Sequence, residues 1–241
     1  PGGGEVQLLK TAEHLHDLGV EVRLFDPWSD RLERADWLHL FGTLPECLEM
    51  ARLAKRRGVR IALSTVSWYD PWVNWKLQPN LGRKLRGLAS WSTRRIRPST
   101  PSWRRELIHL ADLLLPNSEV EARQLKQLFG ADPSRIAVVP NGADARFAHG
   151  DATLFEEQYG VRDFVLVPGR IGPRKNQLAV MRALGGSGIS VVILGDPHPA
   201  HGDYYSACVR DADPGVSFVG RLDHDSPLLA SAYTAGRVVV L

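Results

Sequence analysis

The residues best suited to chemistry lie between Phe164 and Asn176, in the run Phe-Val-Leu-Val-Pro-Gly-Arg-Ile-Gly-Pro-Arg-Lys-Asn. Phe164 to Val167 read as a buried strand, and the glycine–proline turn after it carries Arg170, Arg174 and Lys175. A helix is expected to open at about Asn176. Ligands of open α/β sheets bind in such loops, at the carboxyl ends of strands. Helix-opening N–H groups and the helix dipole favour an anion there, and fixed cations beside them suit a diphosphate. The loop thus reads either as a nucleotide-diphosphate clamp or as a solvated basic turn. The local pattern does not choose between the two.

The elements that must position this loop come from the rest of the chain. Its 241 residues suffice for one large domain or two ordinary ones. Hydrophobic content of 44% and charged content of 24% are those of a soluble globular protein. The net charge of +3 carries no message until it is located. Cys47 and Cys208 lack metal-ligand spacing and are too few for a disulfide framework, which predicts a reducing, cytoplasmic setting. No apolar run approaches the length of a membrane span, and no signal peptide is recognisable. The chain opens at Pro1 and closes inside the apolar run Val238–Leu241, so both ends are expected to be cut.

Hydrophobic periodicity predicts a helix over residues 5–18, then a strand from the alternation of Val20, Val22 and Leu24. Further strands are expected at Trp37–Phe41, Val59–Val66 and Ile136–Val139, with a helix at Pro45–Arg57 and another capped by Ser118. Beyond about Thr153, strands at Phe164–Val167, Ser190–Leu194, Val216–Val219 and Val238–Leu241 alternate with helical stretches. This βα rhythm predicts an α/β protein of two Rossmann-like parallel-sheet domains, residues 1–150 and 151–241. The first strand of the first domain is expected to be missing and the second domain to be incomplete.

Gly2-Gly3-Gly4 would let the backbone approach a phosphate closely at the start of the first helix. A dinucleotide fingerprint would need a third glycine near position 7, where Gln7 stands, and a preceding strand. A plain tight turn is the remaining alternative.

Several motifs together resemble the GT-B glycosyltransferases of the glycosyltransferase family 4 type. They are the Gly-Gly-Gly-Glu start, Pro116-Asn117-Ser118, Val139-Pro140-Asn141-Gly142-Ala143-Asp144 with Phe147, and Val167-Pro168-Gly169-Arg170 with Lys175-Asn176. Ile193-Leu194-Gly195 and Val219-Gly220-Arg221-Leu222 complete the set. The resemblance implies transfer of a sugar from a nucleotide-diphosphate sugar to a glycan or lipid-linked acceptor. It also implies retention at the anomeric carbon, and a place in the synthesis of surface polysaccharide or glycolipid. Arg170 and Lys175 match the pair that neutralises the departing diphosphate, so neither metal nor cofactor is expected beyond the donor. Gly3, Gly4, Gly220, Arg221 and Asn141 match donor-binding positions. Gly142 suits a turn better than a hinge.

Two departures from the family pattern stand out. The family's two glutamates, eight positions apart, would follow the strand that ends here at Leu241, so a non-catalytic nucleotide-sugar-binding remnant is the rival reading. Ser67 or Trp68 stands where many relatives have a histidine, and His39 reads more naturally as structural.

The segment 68–105 holds tryptophans at 68, 72, 75, 91 and 103 among many Lys and Arg, with Asp70 its only acid. It reads as a peripheral contact with anionic membrane at the inner face, as an acceptor-binding lobe, or as a packed loop. Pro71, Pro79, Pro98 and Pro101 speak against one continuous amphipathic helix. Nucleic acid is not expected, because nothing beyond charge supports it.

Overall fold

The computed structural model describes residues 3–78 and 80–241, so that the expectations on Pro1, Gly2 and Pro79 lie outside it. The chain forms two compact units, one ending at Asn141 and one running from Gly142 to Leu241. Both are built on parallel sheets.

The first unit contains α1 (Gly3–Asp17), β1 (Trp37–Phe41), α2 (Pro45–Arg56), β2 (Arg60–Ser64), α3 (Pro71–Leu77), α4 (Leu81–Ile96), α5 (Trp103–Leu110), β3 (Leu113–Leu114) and α6 (Glu119–Phe129). Its sheet has the order β1-β2-β3, with Trp37 opposite Arg60 and Ala62 opposite Leu113. Ile61 and Leu63 of the central strand are fully buried, against Leu48, Ala51 and Ala54 of α2 and Leu125, Leu128 and Phe129 of α6. Ser118 caps α6 by accepting from the Glu121 N–H at 3.2 Å, and Gly130 ends it in the left-handed conformation.

Two expectations are corrected here. Residues 20–26 carry strand alternation but join no ladder, and Val20 and Leu24 stay exposed. A strand is held by its neighbours, and alternation alone does not supply one. Ile136–Val139 is reduced to a bridge beside β3, with Ala137 N–H donating to Leu114 and Val139 N–H to Pro116, both at 2.9 Å. Segment 68–105 is mostly helical but not one continuous helix, with Pro71 opening α3 and Pro98 and Pro101 separating α4 from α5.

A buried carboxylate ties the sheet to α6. Glu121 accepts from the Thr65 hydroxyl at 2.5 Å, from Ser67 N–H at 2.6 Å and from Asn117 N–H at 2.8 Å. Between the first two partners Val66 sits at a φ of 42°, a region a β-branched residue avoids. The Glu121 bonds on either side hold that strained turn at the carboxyl end of β2.

The second unit contains α7 (Ala152–Tyr159), β4 (Phe164–Pro168), α8 (Gln177–Leu184), β5 (Ser190–Leu194), α9 (Gly202–Arg210), β6 (Val216–Gly220), α10 (Pro227–Ala235) and β7 (Val238–Val239). The strand order is β6-β5-β4-β7. Phe164, Leu166, Val192 and Leu194 face Phe155 of α7 and Leu229 and Ala232 of α10. The alternate residues Val167, Val191 and Ile193 face Met181 of α8 and Cys208 of α9. Burial on both faces explains why these strands read as unbroken apolar runs.

Residues 142–150 group with the second unit, ahead of the expected boundary at 150. Phe147 packs on Tyr233 with ring centroids 5.1 Å apart. A Cβ at Gly150 would stand 2.7 Å from the Ser231 nitrogen, so this backbone lies directly on α10.

Replacing Glu121 by Ala strands three donors in or near the core and is expected to cost about 3 kcal/mol. Urea unfolding of the first unit should show this, with Glu121→Gln less affected.

Candidate functional site

The residues expected to form the clamp lie at the carboxyl ends of β4 and β6, on turns joined through the turn after β5. At the end of β4, Gly169 turns the chain at a φ of 124°. Its N–H donates to Leu194 at 2.8 Å, the Ile171 N–H donates to Asp196 at 2.9 Å, and the Gly195 N–H donates to Gly220 at 2.7 Å. Three strand ends are thereby laced together through their turns. A Cβ at Gly195 would stand 2.7 Å from the Gly169 carbonyl carbon, which leaves no room for one. Gly220, at a φ of 77°, completes the row, and Asp196 accepts from the Arg221 N–H at 3.2 Å.

Gln177, fully buried, holds the loop from inside. Its Oε1 accepts from Gly172 N–H at 3.2 Å, and its Nε2 donates to the carbonyls of Arg170 at 3.2 Å and Gly169 at 3.4 Å. Arg170 and Arg174 project from this braced loop into solvent. Lys175, half-buried, folds back across the turn, so that a Cβ built on Gly169 would meet its Cε at 3.0 Å and its Nζ at 3.6 Å. Among the described residues none of these three, nor Arg221, is in an ion pair. The rings of His198 and His201 lie 4.7 Å apart, tilted by 49°, beside Gly172, and the Ala200 N–H donates to His198 Nδ1 at 3.1 Å.

The helix end contributes less to anion binding than its position suggests. Asn176 precedes α8 in the left-handed region without a side-chain cap. The Leu178 N–H donates to the Tyr204 hydroxyl at 3.0 Å and the Ala179 N–H to the Asn176 carbonyl at 3.0 Å. Burial raises the Tyr204 pKa, partly offset by the Leu178 bond, so the phenol stays protonated. Two N–H groups of this helix end are thus engaged within the chain, and the charge that the loop offers is that of its side chains.

The structure brings Arg170, Lys175, Gly220 and Arg221 to one edge of the second sheet. Gly3, Gly4 and Asn141 belong to the first unit. Gly3 and Gly4 form the first turn of α1 instead of a loop, and a Cβ on either meets open space. Asn141 is exposed. Asp144, from the same motif, accepts from the Arg146 N–H at 3.0 Å and serves as a cap. His39 is satisfied structurally: its Nε2 lies 3.0 Å from the Ser64 hydroxyl and its ring stacks on Phe41 at 4.2 Å. Sequence reasoning missed Gln177, which directly follows the recognised Lys-Asn pair. It also missed Glu121, although Ser118-x-x-Glu121 has capping-box spacing.

A family model of glycosyltransferase family 4 matches residues 1–147, more than half of the chain. The chain belongs to glycosyltransferase family 4. A D-inositol 3-phosphate glycosyltransferase of Nocardia farcinica is 36% identical over 104 residues, covering 39% of this chain and 23% of that protein. One from Kineococcus radiotolerans is 34% identical over 125 residues, covering 45% and 29%. The matched part of this family 4 chain thus spans less than a third of either relative. Its fold resembles that of Anabaena Alr3699/HepE, solved in complex with UDP and glucose, at a TM-score of 0.62 and 18% identity over 96% of this chain and 69% of that one. A glycosyltransferase from Rickettsia africae gives 0.54 at 13% identity, covering 98% and 69%. Likeness at these identities speaks for the fold, which is the GT-B fold expected from the sequence.

Two outcomes follow from this geometry. Gly195→Ala is expected to destabilise the second unit by about 2 kcal/mol or more, since backbone must shift to admit the methyl, a loss read by urea unfolding. Burial lowers the pKa of His39 from its ordinary 6.5. The unfolded chain therefore binds the proton more readily, and stability is lost as pH falls below about 6.5. Comparing urea midpoints at pH 8 and pH 5 should show a smaller drop for His39→Gln than for the parent.

Proposed function

We propose that this protein transfers a sugar from a nucleotide-diphosphate sugar, and that Arg170 and Lys175 stabilise the departing nucleoside diphosphate. The observation that carries this reading is the Lys175 ammonium folded over Gly169 at the carboxyl end of β4, in the loop that also carries Arg170 and in no ion pair among the described residues. In the transfer the bond from the anomeric carbon to the diphosphate breaks, and one to the acceptor oxygen forms. Negative charge grows on the leaving phosphate. Cations on a loop whose backbone is held beforehand by Gln177 and the glycine turns stabilise that charge more in the transition state than in the ground state.

Gly220 and Arg221, on the adjacent turn, are proposed as donor contacts, and Gly3, Gly4 and Asn141 carry the same proposal from the first unit. The reaction is proposed to retain the anomeric configuration and to need no metal, because the two side chains supply the neutralising charge. The family 4 relatives named for D-inositol 3-phosphate and the fold neighbour holding UDP and glucose support the choice of test compounds. For the acceptor we propose a glycan or a lipid-linked sugar, in the assembly of surface polysaccharide or glycolipid. The reading also places the protein in the cytoplasm at the membrane face. Among the described residues, no helix is long and apolar enough to cross a membrane.

Calorimetric titration with UDP, GDP and ADP tests the clamp. One of them is expected to bind, and Lys175→Ala should weaken it by on the order of 100-fold through loss of a charge-assisted phosphate contact. Arg170→Ala should act in the same direction. Unchanged affinity in both variants would refute the assignment. Turnover with UDP-glucose should persist in EDTA and yield a product of the donor's anomeric configuration. An unaltered affinity in Gly4→Val or Asn141→Ala would remove that residue from the donor site.

A further inference from the structure

Helix α4 turns an apolar stripe toward solvent. Its 16 residues pack through one side only, where Lys84, Gly87, Leu88, Trp91 and Arg94 are half-buried. Trp91 joins the core of the first unit, and the Arg94 guanidinium lies 5.9 Å from the Phe129 ring centre. Helical periodicity places Leu81, Leu85, Ala89, Ser92 and Ile96 together on the opposite side. There Leu81 is 62%, Leu85 54% and Ile96 79% exposed. Arg86 and Arg95 border this stripe, one along each edge, and both are exposed. Among the described residues neither makes an ion pair, and α4 contains no acid at all. The neighbouring α3, packed on α4, adds Trp72 and Val73 to the exposed apolar surface, at 69% and 41%.

We propose that α4 docks in the headgroup layer of an anionic bilayer. Leu81, Leu85 and Ile96 enter the acyl boundary, while Arg86 and Arg95 extend to lipid phosphates. Charge complementarity selects this occupant, since Asp70 is the only acid in the whole of 68–105. The aliphatic centre of the stripe favours a bilayer over a nucleic acid, which would call for cations and stacking rings along the contact. The inference deepens the proposed lipid-linked acceptor and rests on that reading for its purpose, but the docking itself needs no catalysis. It also separates the tryptophans by role. Trp91 and Trp103 pack against the core and Trp75 lies under Lys84, while Trp68 and Trp72 are exposed, and of these two Trp72 stands on α3 beside α4.

Sedimentation with vesicles tests it, using the whole chain. Pelleting is expected with phosphatidylcholine–phosphatidylserine vesicles but not with phosphatidylcholine alone, and should weaken as salt rises. Arg86→Ser and Arg95→Ser should each lower the partition coefficient about fivefold. Leu85→Glu with Ile96→Glu should abolish pelleting while leaving gel-filtration elution and nucleotide affinity as in the parent. No pelleting of the parent, or equal pelleting of the double Glu variant, would overturn the proposal. So would a parent dimer that the double Glu variant converts to monomer. Nucleotide binding without vesicle binding refutes the docking face alone, and the reverse result refutes the transferase reading alone.

Discussion

The close passage of Gly195 against the Gly169 carbonyl is the constraint on which the second unit's ligand edge depends. No side chain fits there, so the turns after β4 and β5 can lie backbone to backbone. The Gly195 N–H then reaches Gly220, which brings in the turn after β6. Because the three turns are laced by main-chain bonds, the loop from Gly169 to Asn176 has a rigid floor. Gln177 braces it from beneath, and the Lys175 side chain folds across Gly169. A flexible loop with the same charges would have to lose conformational entropy for each cation it brought to bear.

Charge tells a related story. Elsewhere on the surface, arginines are spent on neighbours: Arg52 bonds Glu106 and Glu49, Arg182 bonds Asp211, and Arg146 bonds Asp144 and Asp225. Arg170, Arg174 and Lys175 after β4, and Arg86 and Arg95 on α4, make no ion pair among the described residues, and the nearby Asp196 accepts from the Arg221 backbone N–H instead. A net charge of only +3 thus conceals two concentrations of cations that are in no ion pair among the described residues. One stands on a loop whose backbone is held by main-chain bonds; the other edges an apolar stripe. Composition could not distinguish these, since it averages over position.

What was legible in the sequence depended on how each residue is buried. The runs Phe164–Val167 and Ser190–Leu194 are covered on both faces, so their apolar character admitted no other reading. Val20, Val22 and Leu24 show the alternation of a half-buried strand but join no ladder. Alternation reports a preference for a sheet and says nothing of whether a neighbour is there to pair with. The site divided along the same line. Arg170 and Lys175 stood out as cations after a glycine turn, a pattern that by itself did not tell a clamp from a solvated loop, whereas Gln177 and Glu121 looked like ordinary helix residues. Their importance lies in being buried with every acceptor engaged, a property of packing that spacing does not reveal.

Both buried polar residues do comparable work in different units. Glu121 holds a strained turn at the carboxyl end of β2, and Gln177 braces the turn at the carboxyl end of β4. Each reaches from the start of the helix that packs beside its strand, so the same helix–sheet contact that buries the core also fixes the loop above it. The chemical difference follows from what each loop exposes. The β2 turn is lined by hydroxyls, with Thr43, Thr65 and Ser67 bonded among themselves. The β4 turn carries the cations Arg170, Arg174 and Lys175. Under the proposed function, a departing diphosphate beside Arg170 and Lys175 would meet opposite charge on a loop whose backbone is already held.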